Sequence, residues 1–119
     1  IAQYGAQAAL EGDQAFIGQM NKIFKGRHDF ILAALLKIKG VECLPCQGTF
    51  YIFPNFQAVI ERLGMKTDLE FSEFLLEKAG VAVVPGSAFG APGYARLSFA
   101  TSMENLQKAM ERLHKVLNI

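Results

Sequence analysis

From Gln14 to Lys39 apolar residues recur at helical spacing, at Phe16, Met20, Ile23, Phe24, Ile31, Leu35 and Ile38. At about 1.5 Å per residue, a helix of roughly 25 residues spans about 40 Å. A chain of 119 residues does not need so long a helix to enclose its own core. A helix that joins two domains does. Asp13 is a candidate N-cap and Gly40 a candidate C-terminal stop. Upstream, "IAQYGAQAALE" reads as an Ala-rich helix whose shallow apolar surface needs close packing against something else.

The remainder alternates strand and helix patterns. "VECLP" and the aromatic, β-branched "TFYIFPNF" are strand candidates flanking the turn "PCQG". "QAVIERLG" reads as a short helical turn. Thr67 and Glu70 form a capping box ahead of the helix "DLEFSEFLLEKA", which Gly80 closes. "VAVVP" is a strand, "GSAFGAPG" a glycine-rich loop and "YARLSFA" the last strand. Thr101 and Glu104 give a second capping box, and Leu106, Met110, Leu113 and Leu117 form one stripe of a final helix. This order predicts an α/β fold, an α+β two-layer sandwich. Its small mixed or antiparallel sheet is covered by helices and preceded by the long connecting helix.

Composition narrows the function classes. Hydrophobic residues make up 51% and charged residues 19%, so the chain can bury a core and does not have the composition of a disordered segment. Twelve basic residues are scattered among eleven acidic ones, for a net charge of +1. No basic stripe marks a nucleic-acid partner. No apolar run is long enough to span a membrane, and no signal-peptide pattern opens the chain. With two cysteines, a reducing, cytoplasmic setting is expected.

Several residues could carry chemistry. Cys43 and Cys46 form a C-x-x-C pair, a redox dithiol or half of a zinc site. A strand rather than a helix follows it, and only His28 and His114 remain as further nitrogen ligands, so two ordinary thiols flanking a turn are expected. Gly86, Gly90 and Gly93 lead into a strand instead of a helix N-terminus, which suits a flexible connection with tight turns and close backbone approach, or such a loop bordering a site, better than a phosphate cradle. His28 and His114 read as solvated or edge residues, with Arg27 and Asp29 completing a charged patch beside His28. Tyr51 shares a strand face with Thr49 and Phe53 and reads as packing. Glu70, Glu73 and Glu77 read as solvent-facing.

Arg96 stands apart. In "YARLSFAT" alternation puts Ala95, Leu97 and Phe99 on one face and Tyr94, Arg96, Ser98 and Ala100 on the other. The first set is a core face; the second is small and polar around one guanidinium. A guanidinium presents a planar fork of donors that matches a carboxylate bidentately. A rigid strand beside a glycine-bordered gap is a good place to hold it.

Taken together, "GTFYIFPNF", "LLEKAGVAVVPGSAFG" and "GYARLSFATSMENLQKAMERL" resemble the C-terminal segment of the class I aminotransferases, pyridoxal-phosphate enzymes of fold type I, and are most similar to the bacterial aspartate aminotransferase branch. The resemblance implies that residues 1–13 are a helical remnant of a large domain and residues 14–119 the small domain. It implies that Arg96 binds the α-carboxylate of the substrate while an amino group moves between an amino acid, aspartate by branch resemblance, and a 2-oxo acid. It further implies a homodimer and a partnership with the large domain of the same chain. None of Lys22, Lys25, Lys37, Lys39, Lys66, Lys78, Lys108 or Lys115 lies in the family's cofactor-lysine motif. The chain, which begins at Ile1, is therefore expected to be the C-terminal part of such an enzyme, inactive alone, with no catalytic, cofactor-binding or metal residue of its own. A non-catalytic, aminotransferase-like binding domain of a regulator is the alternative.

Overall fold

A computed structural model describes residues 1–118. Two N-terminal helices, α1 (Ala2–Glu11) and α2 (Ala15–Leu35), precede the rest of the fold. There follow β1 (Tyr51–Ile52), α3 (Gln57–Arg62), α4 (Asp68–Phe74), β2 (Val84–Pro85), β3 (Ala95–Ser98) and α5 (Met103–Leu117). The sheet is antiparallel with order β1-β3-β2, so the last strand in sequence is the central one. α2 packs on α5 and on β1, and α4 packs on β2 and α3. The result is the expected two-layer α/β arrangement, with helices on one face of a small sheet.

Alternation on β3 sets the two faces. Ala95, Leu97 and Phe99 are buried and join Ile31, Leu35, Ile52, Phe56, Phe71 and the α5 stripe in one apolar core. Register puts Ile52 opposite Leu97 and Pro85 opposite Ala95 on that face. Tyr51 stands opposite Ser98, and Val84 opposite Arg96, on the other.

The elements are shorter than the sequence pattern suggests, for identifiable reasons. α2 stops at Leu35, not Lys39: the N–H groups of Lys37 and Ile38 turn back to the carbonyls of Ala34 and Leu35, a tightened last turn that still buries Ile38. Gly40 then takes φ +89°, the left-handed conformation expected of it. "VECLP" supplies a single bridge, Glu42 to Asn55, in place of a strand. "TFYIFPNF" keeps only Tyr51–Ile52 as a regular strand because Pro54 has no N–H to donate, although its carbonyl accepts from Ala95. "VAVVP" is reduced to Val84–Pro85. The helix after Thr67 ends in a π-helical turn, Leu75–Ala79, closed by Gly80 at φ +61°.

Thr67 caps α4 as expected, accepting the Glu70 N–H at 3.1 Å, while the Glu70 carboxylate reaches back to the Lys66 N–H at 2.8 Å. At α5 the cap lies one residue later than the sequence suggested: Ser102, not Thr101, accepts the Asn105 N–H at 3.2 Å. Thr101 instead accepts from the Asn105 side chain, and Glu104 pairs with Lys108 at 2.7 Å. Both hydroxyls are competent caps, and burial of Leu106, Met110, Leu113 and Leu117 selects the register.

The molecule is elongated, 54 × 26 × 24 Å. Every residue of α1 is exposed, and the buried residues of α2 begin at His28. Phe16, Ile17, Met20 and Ile23 therefore present apolar side chains to solvent.

Leu113 is fully buried, so Leu113→Ala is expected to lower unfolding stability by about 2–5 kcal/mol through lost transfer energy and a residual cavity. Leu69, 55% exposed on α4, serves as the contrast: Leu69→Ala should change stability by no more than about 0.5 kcal/mol. Urea unfolding of the two variants measures both, and equal shifts would contradict the assigned core.

Candidate substrate-binding site

Arg96 leaves β3 on the face away from the helices and is only half-buried. Its Cζ lies 5.3 Å from the centroid of the Tyr51 ring and 5.0 Å from that of Phe89. Phe53 completes the walls, edge-on to Phe89 with centroids 5.9 Å apart and stacked on Tyr94 at 5.2 Å. Tyr51, Phe53, Phe89 and Arg96 enclose an open pocket of about 240 Å³.

This geometry solves a specific problem. Among the described residues, no carboxylate lies within ion-pairing distance of the guanidinium, and its N–H groups have no hydrogen-bond partner. Two ring faces hold it by cation–π attraction, about 0.5–1 kcal/mol each at a partly exposed site. Aromatic faces steady the cation and accept no conventional hydrogen bond, so the fork of donors is left without a partner among the described residues.

Each wall has its own support. Tyr51 lies on β1, directly beside β3. Phe89 ends a 3₁₀ turn, Gly86–Phe89, that follows β2. Gly86 is the tight point of that turn: a Cβ there would lie 2.2 Å from the Ala91 carbonyl oxygen and 2.7 Å from the Tyr94 backbone. Gly90 and Gly93 both take positive φ, +74° and +83°. The turn is tied from below by Asp68, which is buried at the start of α4 and accepts the Ser87 N–H. The sequence pattern singled out neither Phe53, Phe89 nor Asp68. The glycines around Phe89 were the available signal; nothing local marks Asp68, whose partner lies nineteen residues away.

The other candidates are dispersed. Glu70, Glu73 and Glu77 are exposed, as their spacing indicated. Cys43 and Cys46 are free thiols, and among the described residues no three His, Cys, Asp or Glu side chains converge to hold a metal. Burial, then the neighbouring Cys46, pushes the Cys43 thiol up to about 11, the opposite of an activated redox thiol.

The two histidines are not solvated edge residues. His28 is buried, with Nδ1 3.0 Å from Asp29 Oδ1 and Nε2 accepting the Cys46 N–H at 3.1 Å. His114 is half-buried, its Nε2 2.7 Å from the Ala34 carbonyl oxygen. A larger cleft of about 640 Å³, between α2 and the 45–49 loop, is lined by Lys25, His28, Asp29, Gln47 and Phe99. It is separate from the Arg96 pocket, sharing none of its walls.

The comparisons with known proteins agree with one another. The family described as aminotransferase class I and II matches residues 1–113. An aspartate/prephenate aminotransferase of Nitrosomonas europaea is 47% identical over 124 residues, covering 99% of this chain and 31% of that protein. An aspartate aminotransferase of Geobacillus stearothermophilus is 46% identical, covering 98% of this chain and 30% of its own length. Among solved structures, an alanine aminotransferase from Pyrococcus furiosus superposes with a TM-score of 0.90 at 37% identity, over 98% of this chain and 29% of that one. The chain spans about 30% of the length of the curated relatives it matches. With a family match running from residue 1 to residue 113, the chain belongs to the class I and II aminotransferases.

Proposed function

We propose that the chain is the substrate-clamping part of an aminotransferase that moves an amino group between an amino acid and a 2-oxo acid, with Arg96 binding the substrate α-carboxylate. The observation that carries this reading is the Arg96 guanidinium itself. It stands between the Tyr51 and Phe89 rings, with its donors uncommitted, at the mouth of a pocket. An arginine placed for stability would be expected to have a protein carboxylate or carbonyl beside it. This one is supported and unpaired.

In this reading Arg96 stays protonated throughout and moves no proton. It donates two charge-assisted hydrogen bonds, one to each carboxylate oxygen, which fixes the rotation of the substrate about its Cα–carboxylate bond. Its contribution is orientation of the reacting Cα–H. Aspartate is the proposed amino acid, in keeping with the names of the relatives from Nitrosomonas europaea and Geobacillus stearothermophilus.

The resemblance implies pyridoxal phosphate, and the residues around Arg96 do not fit it by themselves. They offer one guanidinium and three aromatic rings, with no amine and no carboxylate. All eight lysines of the chain are exposed, and none lines that pocket. The cofactor is assigned instead to a large domain of the same protein, with residues 14–119 as the small domain and residues 1–13 as the helix entering it. The exposed Phe16, Ile17, Met20 and Ile23 of α2 support a further surface packing there. A cytoplasmic homodimer completes the proposal.

In the full-length enzyme, Arg96→Ala should lower kcat/KM roughly 10²–10³-fold, the loss of about 3–4 kcal/mol from two charge-assisted hydrogen bonds, with a steep rise in KM. Arg96→Lys should recover only part of this, since a point charge cannot make the bidentate pair. Unchanged amino-acid turnover in Arg96→Ala would overturn the assignment. The 119-residue chain mixed with pyridoxal phosphate should show neither transamination nor a stoichiometric lysine-linked absorbance band; such a band would place the cofactor site within this chain.

A further inference from the structure

The loop from Cys43 to Phe50 carries Tyr51, one wall around Arg96, and includes the one non-glycine residue with positive φ among the described residues: Thr49, at +65°. A β-branched residue in the left-handed region costs about 1–2 kcal/mol and persists only where its neighbours over-determine it. Two hydrogen bonds flank Thr49. On one side the Phe99 N–H, at the end of the Arg96 strand, donates to the Phe50 carbonyl at 2.7 Å. On the other the Cys46 N–H donates to His28 Nε2 at 3.1 Å.

The second bond fixes the state of the imidazole. A backbone N–H can only donate, so Nε2 must carry a lone pair and no proton. The ring proton is then on Nδ1, where it donates to Asp29 Oδ1 at 3.0 Å. Asp29 is in turn held by Lys25 Nζ at 2.8 Å. The hydrogen bonds from Lys25 and then from His28 keep the Asp29 carboxyl below its ordinary value, so it remains an acceptor into acid. The imidazole also stands edge-on to Phe99, with centroids 5.9 Å apart. The titratable groups of the cleft around it are Lys25 and Asp29 on its own helix and the Cys46 thiol on the loop; Arg27, beside it on α2, is turned over the Phe24 ring, and Phe99 brings no charge from the sheet.

We propose that His28 is a positioning residue: its neutral, Nδ1-protonated ring tethers the 43–50 loop through the Cys46 N–H, and so sets Tyr51 against Arg96. Protonation of His28 leaves the Asp29 contact intact but turns Nε2 into a second donor facing the Cys46 N–H. The tether is then lost, Thr49 can relax, and the Tyr51 wall loosens. This role stands independently of which anion Arg96 binds.

The test is nitrogen-15 NMR on the 119-residue chain. At neutral pH the long-range imidazole correlations of His28 should report Nδ1–H and a bare Nε2. The Cys46 amide should be protected from hydrogen exchange, and as pH falls that protection should disappear at the His28 titration midpoint, together with the Tyr51–Arg96 ring contact. His28→Ala should lower Cys46 protection at least tenfold while leaving that of Leu35 unchanged. His28→Gln, whose side-chain oxygen can reach the Nε2 position, should restore most of it. An Nε2–H ring at neutral pH would overturn the proposal. So would undiminished Cys46 protection in His28→Ala, or a Gln variant no better than Ala.

Discussion

Everything at the candidate site depends on the two-residue period of one central strand. β3 is paired on both sides, so it can neither rotate nor slip: a one-residue shift would drive Arg96 into the core and bring Leu97 out. The burial of Ala95, Leu97 and Phe99 fixes the direction in which the guanidinium leaves the sheet. Site geometry here is a by-product of core packing, and it inherits the core's rigidity.

The chemistry on the outer face is arranged around a single uncommitted cation. In the proposed role, such an arginine faces competing demands: it is to be held still without being neutralised. Aromatic faces meet both, because they attract the cation without occupying its hydrogens as a carboxylate would. The remaining outer-face partners of the sheet are Val84 and Ser98, neither of which competes for the fork. Around this arrangement, Gly86 and Asp68 shape and tie the turn that carries Phe89.

Periodicity was a good guide wherever a side chain's neighbours lie in its own element. The α5 stripe, the faces of β3, the Thr67 cap and the exposed Glu70, Glu73 and Glu77 are all of this kind. It failed where a backbone group finds its partner far along the chain. His28 looked like part of a charged, solvated patch because the pattern around it, Arg27 and Asp29, is polar. Its burial comes from a loop eighteen residues away that folds over it and donates the Cys46 N–H. Strand lengths failed for a related reason. A proline such as Pro54 reads locally as a strand end, yet its carbonyl still joins the neighbouring strand. At α5, adjacent Thr101 and Ser102 offered two equivalent hydroxyls, and only tertiary packing could choose between them.

α2 has one further mechanical property. Its 21 residues form a rod of about 30 Å, seated in the core only along its C-terminal half and bare along the other. A rod gripped at one end amplifies angle into distance. A tilt of about 10° displaces the free tip by roughly 3 Å over the bare half of the rod. The same relation runs in reverse. If the bare half is fixed to another body, a small angular change at that surface swings the sheet, and Arg96 with it, through several ångströms as one rigid unit. With its bare half docked on another body, the length of α2 would set the gearing between that body and the position of the guanidinium.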